Sequence, residues 1–202
     1  MGGTFNPIHY GHLVTAEAAR DTFHLDQVIF IPSGQPPHKG PDMVADPEHR
    51  YLMTFLAIAP NEHFELSRVE IDRPGPSYTS ETLAYFYHQD PTVDWYFISG
   101  ADAILEIASW HGPEEIFRYA QLIAASRPGY SLSRIQALEA QLGHQRVERI
   151  HQIEVPALAI SSSQIRERLS RGLSITYLVP GAVEHYIRKN AIYGTRQGGI
   201  IE

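Results

Sequence analysis

The sequence predicts an α/β protein: one domain with a doubly wound, mainly parallel sheet covered by helices on both faces. Three observations carry this. Short apolar runs rich in β-branched or aromatic residues, such as 27–31 and 94–99, alternate with segments of helical periodicity. Polar, Gly- or Pro-bearing clusters at 32–39, 72–79, 99–102 and 126–129 each follow a predicted strand, where parallel sheets gather their ligands. The 202 residues, 43% hydrophobic and 19% charged, are enough for one sizeable core.

The opening stretch, MGGTFNPIHYGHL, organises the rest. Gly2 and Gly3 precede Thr4, Asn6-Pro7 turns the chain, and His9 and His12 flank Gly11. Leu13, Ala16, Ala19 and Phe23 then fall at helical spacing, which predicts a helix over 12–24. The histidines therefore sit on a loop and at the mouth of a helix. A helix N-terminus offers unpaired N–H groups and partial positive charge. Glycines let the backbone come close to a ligand. With two imidazoles added, the stretch suits phosphate oxygens and points to a nucleotide-binding enzyme.

The remaining elements follow in order. A buried strand is predicted at 27–31, then a loop over 33–47 centred on Pro36-Pro37-His38-Lys39. Asp46 caps a helix from Pro47 to about Ala59. Residues 64–71 read as a strand, and Thr79 or Ser80 opens a helix to about Gln89. Strands are expected at 94–99, 122–125 and 148–155, with helices at 102–108, 113–119 and 131–142 between them. The serine run 161–163 starts a helix stopped by Gly172, and a last helix covers 180–190. The tail from Gly194 is expected to be loose. One feature conflicts with this plan. A doubly wound unit places a strand immediately before its phosphate loop, and here the chain starts at the loop. The usual first strand is expected to be missing.

Composition narrows the function. The net charge of −7 argues against a non-specific nucleic-acid or membrane surface, which needs a basic footprint. There is no Cys, which removes disulfides and thiolate metal sites. No apolar run reaches the length of a membrane span, and the N-terminus lacks a secretory pattern. A cytoplasmic protein without nucleic-acid or membrane partners is the expectation; a homo-oligomer is compatible with the sequence.

Plainer readings exist for each motif. His9 and His12 can cap a turn and a helix. Their spacing also suits a metal, but no carboxylate lies close by and the Gly and Pro place them on a loop, so no metal ligands are assigned. Ser161 to Ser163 can be a simple N-cap. Trp110 can be core, Lys39 a solvated loop residue, and Arg127 a structural ion-pair partner.

Residues 2–12 resemble the opening motif of the nucleotidyltransferase superfamily with the H-x-G-H signature, and 160–166 (ISSSQIR) resemble its second signature. Pro36-Pro37-His38-Lys39, Gly75 to Thr79, Gly100-Ala101-Asp102, Trp110, Arg127-Pro128-Gly129 and Tyr177 to Pro180 resemble one branch, the bacterial nicotinate-mononucleotide adenylyltransferases. The resemblance covers roughly 1–193, the expected domain, leaving 194–202 as tail. Two departures stand out. The strand before the glycine pair is absent, with Met1 where its last residue would be, as a misassigned start or a shortened chain would give. Asn6 also stands where Asp is common.

The resemblance implies a Rossmann-like fold and the transfer of AMP from ATP, with Mg²⁺ carried on its phosphates, to nicotinate mononucleotide. It implies catalytic roles for His9, His12 and Arg166. His12 would contact the α-phosphoryl group and His9 support the phosphates. Gly3, Thr4 and Phe5 would contact the nucleotide, as would Gly100 and Asp102 near the ribose. Ser162, Ser163, Ile165 and Arg166 would hold the β- and γ-phosphates, with Lys39 reaching them from its loop. Thr79 would offer N–H to the nicotinate carboxylate, Trp110 would stack on the pyridine, and Arg127 would contact the same substrate. The alternatives are another enzyme of the signature, such as phosphopantetheine adenylyltransferase, or a nucleotide-binding protein that has lost catalysis.

Overall fold

Strand β1 (Gly2–Gly3) is only two residues long, and the topology is arranged around it. The computed structural model describes residues 1–37, 44–126, 133–156 and 158–194. From β1 the chain enters α1 (Tyr10–Phe23), returns through β2 (Val28–Pro32), and continues as α2 (Pro47–Ile58), β3 (Phe64–Leu66) and α3 (Val69–Asp72). The second half runs α4 (Thr79–Gln89), β4 (Tyr96–Gly100), α5 (Ala101–Ile104), α6 (Pro113–Tyr119) and β5 (Gln121–Ser126). Three short helices follow, α7 (Ser133–Gln136), α8 (Glu139–Leu142) and α9 (His144–Val147), and then β6 (Ile150–Glu154), α10 (Ser162–Ser170) and α11 (Gly181–Lys189).

All described strand pairs are parallel. One set is ordered β1-β2-β3, with Gly2 beside Ile31 and Val28 beside Phe64. The other is β4-β5-β6, with Phe97 beside Leu122 and Ile123 beside His151. The halves meet where Gly2 lies against β4: a Cβ on Gly2 would come 3.2 Å from the Phe97 ring. This is the doubly wound plan, with its crevice at the switch point between the halves.

The sequence expectation of a missing first strand is corrected in part: the glycine pair, read as the start of the phosphate loop, is itself a short strand. Met1 continues its pairing, since its carbonyl accepts from Ile31 N–H (3.0 Å) and its amine donates to Ile29 O (2.7 Å). Below it, β2 and β4 border a groove of about 630 Å³ lined by Phe23, Val28, Ile29, Phe86, Trp95 and Ile98, among others.

Alanines shape the packing on this sheet. Ala16 and Ala19 of α1 are fully buried in the cluster that holds Ile98, Ile123 and Ile153. Small side chains there let the helix lie close to the strands. A second cluster, with Ile104, Ile107, Ile116 and Leu122, fills the other face. Three expected elements differ. The strand over 64–71 ends at Leu66, because Ile71 and Asp72 N–H turn back to Arg68 O (2.8 and 2.9 Å) and form α3. The helix over 102–108 splits into α5 and a 3₁₀ turn at Ile107–Ser109. In place of one helix over 131–142 stand α7 and α8. Among the described residues, no helix is long and apolar enough to cross a membrane.

Candidate active site

The carboxyl ends of β1 and β2 carry the loops that build the site. Phe5 has left-handed backbone (φ 46°), and Asn6-Pro7 is a cis peptide. His9 then caps α1 in extended conformation. Its N–H donates to His12 Nδ1 (3.2 Å), and the two rings stack with centroids 3.7 Å apart. An Nδ1 that accepts a hydrogen bond leaves the proton of a neutral imidazole on Nε2. The Phe5 ring meets His12 edge-on at 5.1 Å and closes another side. His12 is therefore held in orientation and tautomer by its neighbours.

Gly11 is needed for close approach. A Cβ there would sit 3.0 Å from His9 Cε1 and Nδ1. His9 itself is buried, and its Nδ1 finds no hydrogen-bond partner among the described residues. Burial lowers its pKa to about 4, so its ring is neutral at physiological pH.

The serine run opens α10 as expected. Ser161 caps it, its hydroxyl accepting from Gln164 N–H (3.2 Å). Two side chains of this helix latch the histidine loop. Ser162 Oγ donates to Pro7 O (2.8 Å), and Arg166 Nη1 donates to Asn6 O (2.7 Å). Arg166 Nη2 also reaches Ser163 Oγ at 3.3 Å. A cavity of about 480 Å³ lies beside the helix start, lined by Ile160, Ser161, Ser163, Gln164 and Glu167 with Ala159. Thus the two signatures, 155 positions apart at the Ser162–Pro7 contact, form one structure.

Other expected site residues fall differently. Phe5 and Ile165 are buried in the core, at 2% and 0% exposure. Their side chains cannot line a nucleotide site, so only their main chain is available. Thr4 O accepts from Arg50. Gly100 ends β4, and Asp102 follows on α5 with its carboxylate 3.8 Å from Arg134 Nη1. Thr79 is the first residue of α4. Before it, Tyr78 stacks on His111 (4.2 Å), the neighbour of Trp110, so Thr79 and Trp110 share one neighbourhood. Trp110 is half-buried and meets Phe97 edge-on at 6.0 Å. Lys39 and Arg127 lie outside the described residues.

Sequence reasoning missed several supporting residues. Ser77 Oγ accepts from Gly34 N–H (3.0 Å), which ties the loop after β2 to the loop before α4. Tyr193 OH donates to Asn6 Oδ1 (2.7 Å), so the end of the described chain braces the histidine loop. Arg50 bonds three loop carbonyls from inside the core. A signal for it was present: it shares the buried stripe of α2 with Met53, Thr54, Ala57 and Ile58, where a charge needs a reason.

The fold and site define a nucleotidyltransferase. The chain belongs to the cytidylyltransferase-like family, whose model matches residues 1–168. Within that family it stands among the nicotinate-nucleotide adenylyltransferases. A protein of Moorella thermoacetica named as a probable nicotinate-nucleotide adenylyltransferase is 55% identical over 203 residues, covering 100% of this chain and 94% of the relative. A Mycobacterium tuberculosis protein of the same name is 48% identical, covering 96% of this chain and 89% of its own. The solved Plasmodium falciparum nicotinic acid mononucleotide adenylyltransferase, complexed with NaAD, has the same fold: TM-score 0.78 at 20% identity, over 98% of this chain and 97% of that one.

Proposed function

We propose that the chain transfers AMP from ATP to nicotinate mononucleotide, giving nicotinate adenine dinucleotide and pyrophosphate. The observation that carries this is the latch between the histidine loop and α10, which ties the loop leading to His9 and His12 to the helix that carries Ser162, Ser163 and Arg166. The substrate phosphate is already an anion, so the task is alignment and charge stabilisation rather than strong base catalysis. His12 Nε2–H donates to the α-phosphoryl oxygen as the bond to the leaving pyrophosphate lengthens. His9 stays neutral and fixes the orientation of His12. Ser162, Ser163, Arg166 and the first N–H groups of α10 take the β- and γ-phosphates. Gly3, Thr4 and Phe5 contact the nucleotide through the loop main chain, and Gly100 and Asp102 serve the ribose.

Mg²⁺ carried in on ATP would be bound mainly by phosphates and water, as this cation prefers, and would screen charge on the triphosphate. The acid nucleotide is read by Thr79 N–H at the start of α4, where an anion is favoured, and by Trp110 on the pyridine. Lys39 and Arg127 are assigned to ATP and the mononucleotide respectively on motif grounds.

The test is pyrophosphate release from ATP and Mg²⁺ with nicotinate mononucleotide, its amide, or pantetheine phosphate. Preference for the acid supports the reading. Equal rates with acid and amide would remove the Thr79 role, and turnover only with pantetheine phosphate would replace the substrate.

A further inference from the structure

The chemistry above leaves one group unused. Arg50 is the largest fully buried side chain among the described residues, with no solvent exposure. Its Nε donates to Ala45 O (2.8 Å), Nη1 to Thr4 O (2.9 Å) and Nη2 to Gly34 O (3.1 Å). These carbonyls belong to three separate segments: the loop after β1, the loop after β2, and the entry to α2. A buried charge is costly unless its donors are met. A site that needed only filling would take an apolar side chain, as the same helix does at Met53 and Ile58. Burial lowers the arginine's pKa, while Tyr193, Asp46 and Glu70 act in the other direction.

Two of the three segments are coupled a second time. Ala45, held by Arg50 through its carbonyl, donates its own N–H to Asn6 Oδ1 (3.1 Å). Thr4, held by Nη1, precedes Phe5, whose ring meets His12. A closed circuit runs from Arg50 through Ala45 to Asn6 and back through Phe5 and Thr4. Asn6 O is also the acceptor for Arg166. We propose that Arg50 is a positioning residue for the transfer reaction: it fixes the main chain of residues 4–6, and through it the placement of His12, without touching substrate. Lysine cannot replace it, because one ammonium lacks the planar fork that reaches three carbonyls.

This proposal rests on the adenylyl-transfer reading, so its test has an arm that does not. Arg50→Lys and Arg50→Gln are compared with the wild-type chain at a temperature where circular dichroism and melting show them folded. The expected result is a fall in kcat of about 100-fold, the scale of a small misplacement of reacting groups. KM for nicotinate mononucleotide should stay within about threefold, because Arg50 touches neither Thr79 nor Trp110 and reaches the loop before α4 only through Gly34 and Ser77. In parallel, histidine ¹⁵N spectra report whether His12 Nδ1 still accepts its hydrogen bond; in the variants that signature should weaken or disappear. A purely structural arginine would lower activity only in proportion to the unfolded fraction and leave the spectrum of the folded protein unchanged. That result overturns the proposal, as does failure of both variants to fold at any temperature. If the wild-type chain turns over no nicotinate mononucleotide, the reaction reading fails, and the spectra alone decide the role of Arg50.

Discussion

Arg166 Nη1 lies 2.7 Å from the main-chain oxygen of Asn6, a contact between residues 160 positions apart. The guanidinium holds the histidine loop, and its proposed second task is to meet ATP phosphates. Both are lost in Arg166→Gln. The expected effect is a fall in kcat of about 100- to 1,000-fold, the range for a preorganised donor. Steady-state kinetics on a variant shown to be folded checks this, and a fall under threefold would remove Arg166 from the site.

Gly11→Ala sets two effects against each other. Alanine in place of glycine in a helix gains about 1 kcal/mol. The new methyl would stand 3.0 Å from the His9 ring, and overpacking of this kind costs roughly 1–3 kcal/mol. The clash should win, because His9 is buried and also stacked on His12. We expect a lower Tm and at least a tenfold loss of kcat, measured by calorimetry and pyrophosphate release. A higher Tm with full activity would mean that the His9 ring moves without consequence.

Trp110→Ala separates the two substrates. The KM for nicotinate mononucleotide should rise at least tenfold while that for ATP stays within about threefold, since one stacked ring contributes on the order of 1–3 kcal/mol by analogy with base stacking. The edge contact with Phe97 predicts a modest loss of Tm as well. Unchanged mononucleotide affinity with only a lower Tm would make Trp110 a core residue.

A buried base makes stability depend on pH. Desolvation lowers His9 to about 4 from 6.5. Between these values the unfolded chain binds a proton that the folded chain does not, so the stability this group contributes rises with pH. Its destabilising effect begins as pH falls below about 6.5 and is largely complete near 4. Burial raises the Glu70 carboxyl, which acts in the opposite direction as pH rises past 4.5. A histidine NMR titration of the folded chain should find the His9 ring neutral down to about pH 5. A His9 midpoint near 6.5 would contradict its burial.

Much of this was legible in the sequence because local signals and the fold agree. Alternating apolar strands and helical stripes gave the parallel sheet, and the serine run gave the start of α10. Other features depend on contacts distant in sequence. The role of Gly2-Gly3 as a strand depends on pairing with Ile31 and Pro32, which no local pattern announces. Phe5 and Ile165 sit inside motifs, and their side chains are buried in the core, which the motif pattern alone does not announce. Arg50 and Tyr193 act on residues 4–6 from far along the chain, and only the arginine carried a signal, a charge on an apolar stripe.

His12, oriented by His9 and Phe5 at the end of the loop that α10 latches, is proposed to stabilise adenylyl transfer to nicotinate mononucleotide. The most direct measurement is pyrophosphate release by folded His12→Ala beside the wild-type chain, with ATP, Mg²⁺ and nicotinate mononucleotide. The expected result is turnover by the wild type and a loss of about 100- to 1,000-fold in the variant. A variant within threefold of wild type would contradict it.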